Sequence, residues 1–156
     1  MKYVKSGSVI SIPLPDGGSC NAVVLFVSRY FRNVMLIGLF ADGYRDSSGY
    51  TTGDLCDSIK VLVYTSQVMV KKGKWPIVGE IALPSIASFT ERIDGQSVWV
   101  EDQRVRTATR EDKATIPIMG VDGQGAVELL AEEIASRCDY SQSTQIDIKR
   151  TCLLID

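Results

Sequence analysis

A chain of 156 residues with 45% hydrophobic and 23% charged residues has the size and composition of one folded domain, which excludes wholesale disorder. Its net charge is −2, so the chain lacks the excess of basic residues that is typical of nucleic-acid-binding proteins. Histidine is absent, so the usual Ser–His and Cys–His catalytic pairs cannot form. We therefore expect one domain over residues 1–156 that is not an enzyme and has no catalytic, cofactor or metal site.

The cysteine pattern bears on metal binding and on location. None of Cys20, Cys56, Cys138 and Cys152 is close enough to another to form a CxxC pair, so a zinc site is not indicated. The first residues lack the apolar core of a signal peptide, and no apolar run is long enough to cross a membrane. These features predict reduced thiols in a cytoplasmic protein.

The first third of the chain predicts three strands, at Ser8–Leu14, Cys20–Ser28 and Val34–Phe40. The second and third are almost wholly apolar, which is typical of strands covered on both faces. The segment Pro15–Ser19 reads PDGGS and predicts a turn, because proline fixes φ and glycine permits positive φ. Together the three strands predict an antiparallel meander that supplies most of the core.

A long polar segment follows at Ala41–Asp54, rich in Gly, Ser, Thr and Asp and without an apolar period. Long loops of this kind often carry function, although a plain solvated connection is the alternative interpretation. The acids of this segment do not match the spacing of a calcium-binding loop. Tyrosines and acids are plausible contacts for a partner protein, so the segment supplies six candidate binding residues: Asp42, Tyr44, Arg45, Asp46, Tyr50 and Asp54.

Further extended segments are predicted at Ser58–Tyr64, at Trp75–Leu83, and in a hairpin of Ser97–Glu101 with Arg104–Thr109. Residues Gln67–Val70 either continue the first of these or form a short strand of their own, and Lys113–Val121 is a connection. The helical spacing of five apolar residues then predicts a helix over Gly123–Cys138 with Asp122 as N-cap: Val127, Leu130, Ala131, Ile134 and Cys138. The tail Ile146–Ile155 predicts a last strand.

The fold expected from these elements is α+β. It consists of a mainly antiparallel β-sheet, open or barrel-like, with one long helix near the C-terminal end.

Two basic stretches have a tryptophan nearby: Lys71, Lys72 and Lys74 precede Trp75, and Arg104, Arg106 and Arg110 follow Trp99. Basic and aromatic side chains together can bind a single-stranded nucleic acid by stacking. The acidic pI of about 5.2 favours the other interpretation, in which both tryptophans lie in the core or on a sheet face and the charges are solvated.

Two stretches resemble a known family. Ser6–Gly17 contains a glycine, an alternating strand that ends in Ile-Pro-Leu, and an Asp-Gly turn. Val63–Ser66 followed by Gly73–Gly79 places a strand before a tryptophan with Ile-Val-Gly after it. These features are similar to the immunity protein 26 family, over about the first half of the chain and more weakly through Trp99 and the helix.

The resemblance implies a bacterial cytoplasmic immunity protein from a polymorphic-toxin or contact-dependent growth inhibition system. Such a protein binds its cognate toxin domain, the C-terminal domain of a polymorphic toxin, and neutralises it by protein–protein contact. No catalytic residue, cofactor or membrane partner is implied. Two alternatives of other classes remain: a small β-barrel endoribonuclease of the toxin type, and a nucleic-acid-binding module without catalysis.

Overall fold

The computed structural model of the chain describes residues 3–41, 43, 49–136 and 146–147. These residues form an α+β fold. The strands are β1 (Ser8–Pro13), β2 (Ser19–Val27), β3 (Val34–Phe40), β4 (Ile59–Ser66), β5 (Ile77–Glu80), β6 (Arg92–Asp94), β7 (Ser97–Val100), β8 (Gln103–Thr107), β9 (Val121–Asp122) and β10 (Ile146–Asp147). The helices are α1 (Thr52–Ser58), α2 (Val68–Lys71), α3 (Arg110–Thr115) and α4 (Gln124–Ala135), with a 3-10 turn at Ala87–Phe89.

The larger sheet has the strand order β10-β4-β3-β2-β1-β5. Neighbours in this order are antiparallel, whereas β9 pairs with β4 in parallel. The predicted meander of β1, β2 and β3 is confirmed and extends to β4. Since β10 and β5 stand at opposite ends of the order, the described strands form an open sheet and not a closed barrel.

Both faces of the larger sheet are covered. On one face the apolar side of α4 and the buried Trp75 pack against the strands. The other face carries Tyr50, Leu55 of α1 and Phe89 of the 3-10 turn. Residues of β2 and β3 are therefore buried whichever way they point, and this confirms the interpretation of their continuous apolar sequences.

The smaller sheet consists of the antiparallel strands β6, β7 and β8 in that order. Its two tight turns use positive φ angles, at Gly95 between β6 and β7 and at Glu101 between β7 and β8. Ile93 and Val98 pack with Ile116, which follows α3, in a cluster of their own. The predicted hairpin is thus confirmed, with β6 as an additional strand that the sequence pattern did not indicate.

Two short helices replace expected irregular or extended segments. Residues Gln67–Val70 were expected to be extended, but α2 occupies this stretch because the chain must turn back after β4, and the amides of Val70 and Lys71 bond to the Gln67 carbonyl. Helix α3 follows the predicted strand Arg104–Thr109 directly and extends into the residues from Lys113 that were expected to be a connection. A capping box between Thr109 and Asp112 starts it.

The long helix is confirmed with a small change at its start. Helix α4 spans Gln124–Ala135 with Gly123 as N-cap, instead of the predicted Asp122. Asp122 belongs to β9, where it pairs with Thr65 and its carbonyl accepts a bond from the Thr65 hydroxyl at 2.7 Å. The helix therefore starts one residue later than predicted. Cys138, and the predicted strand residues beyond Asp147, lie outside the described residues.

Candidate functional site

Two of the six candidate binding residues in the long polar segment, Tyr50 and Asp54, lie within the described part of the chain. Four of the six lie outside the described residues: Asp42, Tyr44, Arg45 and Asp46. Tyr50 is described and is only 4% exposed. Its ring stacks on that of Phe40 with 6.5 Å between centroids, and its amide bonds to the Ala82 carbonyl. Tyr50 thus belongs to the core in this structure.

The sixth candidate, Asp54, has a structural partner. Thr51 and Asp54 form a capping box, in which the Thr51 hydroxyl accepts from the Asp54 amide and the Asp54 carboxylate accepts from the Thr51 amide. The expected loop through Asp54 therefore ends at Thr51, because helix α1 begins at Thr52. The Thr-x-x-Asp spacing was a visible signal for this helix start.

The cysteines differ from the expectation of four reduced thiols. Cys56 is disulfide-bonded, and its partner lies outside the described residues. Cys20 is a free, buried thiol beside the carbonyl of Phe40, and burial raises its pKa to about 11. A thiol with so high a pKa is a poor nucleophile near neutral pH.

An exposed aromatic surface lies at another place in the fold. Tyr30 and Phe31, in the connection between β2 and β3, contact Trp99 of β7. The ring centroids of Tyr30 and Trp99 are 5.0 Å apart, those of Phe31 and Trp99 5.6 Å, and those of Tyr30 and Phe31 4.9 Å. Tyr30 is 66% exposed, whereas Phe31 and Trp99 are partly buried. We call these three residues the aromatic patch.

The carboxylate of Asp102 fixes the geometry of the aromatic patch. Asp102 lies in the turn between β7 and β8 and accepts from the Ser28 hydroxyl at 2.5 Å and from the Arg29 amide at 2.7 Å. The Ser28 oxygen in turn accepts from the Phe31 amide at 2.8 Å. These bonds hold the β2–β3 connection against the hairpin turn, so Tyr30 and Trp99 are positioned before any partner binds.

Trp99 is the middle of a row of side chains across the smaller sheet. Its cross-strand neighbours are Arg92 on β6 and Arg104 on β8. Arg92 is completely buried, while Arg104 is exposed. The row therefore consists of a buried cation, Arg92, an aromatic ring, Trp99, and an exposed cation, Arg104.

The buried guanidinium of Arg92 is enclosed mainly by aromatic rings. Its central carbon lies 5.4 to 5.9 Å from three ring centroids, those of Tyr64, Phe31 and Phe26. Its Nη1 donates to the carbonyls of Thr90 and Glu101. Its Nε and Nη2 have no hydrogen-bond partner among the described residues. Cation–π attraction offsets part of the desolvation cost, but no carboxylate among those residues forms an ion pair with this charge.

The surface guanidinium of Arg104 is held by neutral groups. Its Nε donates to the Ser97 hydroxyl at 2.7 Å and its Nη2 to the Thr107 hydroxyl at 2.8 Å. By contrast, Arg106 two residues later forms an ion pair with Asp112 at 2.8 Å. Within the described part of the chain, Arg104 is therefore a fixed cation whose bonding partners are uncharged.

Of the two tryptophans, only Trp99 reaches the surface. Trp75 is 0% exposed, and its indole nitrogen donates to Glu128 of α4 at 3.2 Å. The lysines before Trp75 therefore have no exposed ring beside them for base stacking. The sequence pattern singled out Trp99 and Arg104 only in the disfavoured nucleic-acid interpretation, and it did not indicate Tyr30 or Phe31. The available signal was a pair of aromatics in a short polar connection between two apolar strands.

Comparison of the chain with protein-family models, with curated proteins and with solved structures finds no match. None of the described helices is both long and apolar enough to cross a membrane. The described residues include no group of three His, Cys, Asp or Glu side chains that could hold a metal ion. The aromatic patch and the arginines beside it form a candidate binding surface among the described residues.

Proposed function

We propose that this chain is a protein-binding module that acts as an immunity protein, neutralising a cognate toxin domain through contacts centred on the aromatic patch. The observation that carries the proposal is the exposure of Tyr30 against Trp99 on a surface that is fixed in advance. Tyrosine, tryptophan and arginine are the residue types enriched at the energetic centres of protein interfaces. The toxin as partner comes from the family resemblance of the sequence.

Pre-organisation of the patch supports tight binding. Ordering flexible side chains on association costs free energy, so contacts that are fixed in the free protein bind more strongly. Here the bonds of Asp102 to Ser28 and Arg29 already hold the connection that carries Tyr30. In this proposal the long polar segment at 41–51 is not required for partner recognition.

Single-stranded nucleic acid is the second candidate for the same patch, because bases stack on exposed aromatics beside arginines. The net charge of −2 and the carboxylate of Asp102 beside Ser28 and Arg29 favour a protein partner over a polyphosphate. Anisotropy titrations with a labelled twelve-nucleotide thymidine strand separate the two candidates.

The test uses the toxin domain encoded beside this gene. Calorimetry and a growth-protection assay should show binding and rescue by the wild-type chain. Since truncating a central aromatic contact typically costs more than 2 kcal/mol, Tyr30→Ala and Trp99→Ala should each weaken binding by about thirtyfold or more. Tyr3→Ala is the matched control, because Tyr3 is 81% exposed and lies beside β5, where it lines a different cavity. Absence of binding and of rescue by the wild-type chain contradicts the proposal.

A further inference from the structure

The row Arg92–Trp99–Arg104 has a charge that differs from that of the whole protein. The chain has a net charge of −2, yet both neighbours of Trp99 across the smaller sheet are arginines. Neither forms an ion pair with a described carboxylate. The row through Trp99 thus has two positive charges although the overall charge is negative, while the Asp102 carboxylate at the patch accepts from the Ser28 hydroxyl and the Arg29 amide.

We propose that the patch binds an acidic surface of its protein partner, with a partner carboxylate on the guanidinium of Arg104. This inference rests on the proposed protein-binding function and names the chemistry of the partner. The overall charge of −2 alone would favour a basic partner, whereas the arginines beside Trp99 favour an acidic one.

The geometry of Arg104 favours a carboxylate. The two bonds to Ser97 and Thr107 fix the plane of the guanidinium on the sheet face and use one N–H of Nε and one of Nη2. The remaining N–H groups are available to accept a planar anion, and arginine binds carboxylates in a bidentate manner. Because the side chain is already held, less conformational entropy is lost when the anion binds.

The buried Arg92 adds to this preference. Its Nε and Nη2 lack hydrogen-bond partners among the described residues, and its guanidinium contacts Phe31 of the patch. A buried charge is screened by salt much less than a surface charge. Salt therefore weakens the attraction of Arg92 for an anion less than that of Arg104, and an acidic partner gains from both.

A carboxylate suits this surface better than a nucleic-acid backbone does. Strong binding of a single strand needs a track of cations along several phosphates. Here Arg106 is neutralised by Asp112, so strand β8 does not offer such a track beside Arg104. One fixed guanidinium beside the Tyr30 and Trp99 rings fits a single acidic side chain on a protein surface.

The experiment measures the affinity of the toxin domain for the wild type and for Arg104→Ala, Arg104→Lys and Arg106→Ala. We expect Arg104→Ala to weaken binding by about tenfold and to reduce its salt dependence, while Arg104→Lys recovers part of the loss. Arg106→Ala is the matched control, because Arg106 lies on the same strand but already forms an ion pair with Asp112. The affinity of this variant for the toxin domain should stay within about twofold of that of the wild type. Circular dichroism checks that each variant is folded.

The outcomes separate the two proposals. If Tyr30→Ala weakens toxin binding but Arg104→Ala behaves like Arg106→Ala, the acidic-partner inference is wrong and the protein-binding function stands. If the wild type does not bind the toxin at all, both fall. If the wild type binds the thymidine strand instead, and Arg104→Ala weakens that binding, the patch is a nucleic-acid surface and the inference is overturned.

Discussion

The guanidinium carbon of Arg92 lies 5.4 Å from the centroid of the Tyr64 ring, and both side chains are sealed from solvent. Tyr64 belongs to β4 of the larger sheet and Arg92 to β6 of the smaller one. The Tyr64 hydroxyl also donates to the Thr90 carbonyl at 3.1 Å, and Arg92 donates to the same oxygen. This contact between cation and ring therefore joins the two sheets beneath the aromatic patch.

Replacing Arg92 should destabilise the fold. Arg92→Ala removes the cation–π contacts, leaves a cavity and removes the Arg92 hydrogen bonds to the carbonyls of Thr90 and Glu101, of which Thr90 keeps its bond from Tyr64, so we expect the free energy of unfolding to fall by about 3 kcal/mol. Arg92→Met fills most of the space without burying a charge and should cost at least about 1 kcal/mol less. Urea unfolding of the three proteins measures both. Equal losses in the two variants would show that the charge, not the packing, holds the sheets together.

Alkaline pH should destabilise the protein through Tyr64. Burial, followed by the charge of Asp102, raises its pKa to about 12 from an ordinary value of 10, against an opposing effect of the Arg92 charge. The unfolded chain then loses the phenolic proton first. The contribution of Tyr64 to stability is therefore constant below pH 10 and declines between pH 10 and 12, by about 2 to 3 kcal/mol in total.

Tyr64→Phe is the control for this pH dependence. It lacks the titrating hydroxyl, so it should be less stable than the wild type at pH 8 through loss of the bond to Thr90, by about 1 kcal/mol. Its unfolding free energy should decline less steeply above pH 10. The buried Cys20 thiol, whose pKa is about 11, contributes equally to both proteins, so the difference between their curves isolates Tyr64. Parallel curves would contradict the prediction.

The central strands and the long helix could be predicted from sequence because the apolar pattern within each segment indicates which of its residues are buried. The segment Val34–Phe40 is apolar throughout, and the structure makes it β3 with those bounds. The apolar residues of α4 recur at helical spacing, which places them on one side. The helices α2 and α3, of four and six residues, are too short to show such a period. They are recognised from turns and caps instead.

The candidate site could not be predicted in the same way, because exposure of a tyrosine depends on residues far away in the chain. Tyr50 lies in a polar segment but is buried, since its ring packs on Phe40 and its amide donates to the Ala82 carbonyl. Tyr30 also lies in a polar connection, yet it is 66% exposed and rests on Trp99, which is distant in sequence. Both tyrosines lie in connections that read as polar, and contacts with residues distant in the chain leave one buried and the other exposed.

The capping box of α1 gives a stability prediction for a residue that the sequence suggested as a binding contact. Asp54→Ala removes the acceptor for the Thr51 amide, so it should lower the free energy of unfolding by about 1 kcal/mol. Asp57→Ala is the control: Asp57 is exposed near the end of α1, where removing a negative charge is neutral or slightly stabilising. Thermal unfolding compares them. If Asp54→Ala kept its stability but lost toxin binding, Asp54 would be a contact residue for the toxin and not a helix cap alone.

The role of α4 is tested by two adjacent leucines. Leu130 is 0% exposed and packs on the larger sheet, whereas Leu129 is 47% exposed on the same helix. Leu130→Ala should lower the free energy of unfolding by about 2 to 5 kcal/mol, because it removes buried methyl groups and leaves a cavity. Leu129→Ala makes the same chemical change at the surface and should cost less than about 1 kcal/mol. Denaturant titration measures both, and toxin affinity is measured on the folded variants. If Leu129→Ala weakened the toxin complex tenfold while Tyr30→Ala did not, the outer face of α4 would be the interface, and the aromatic patch would not be.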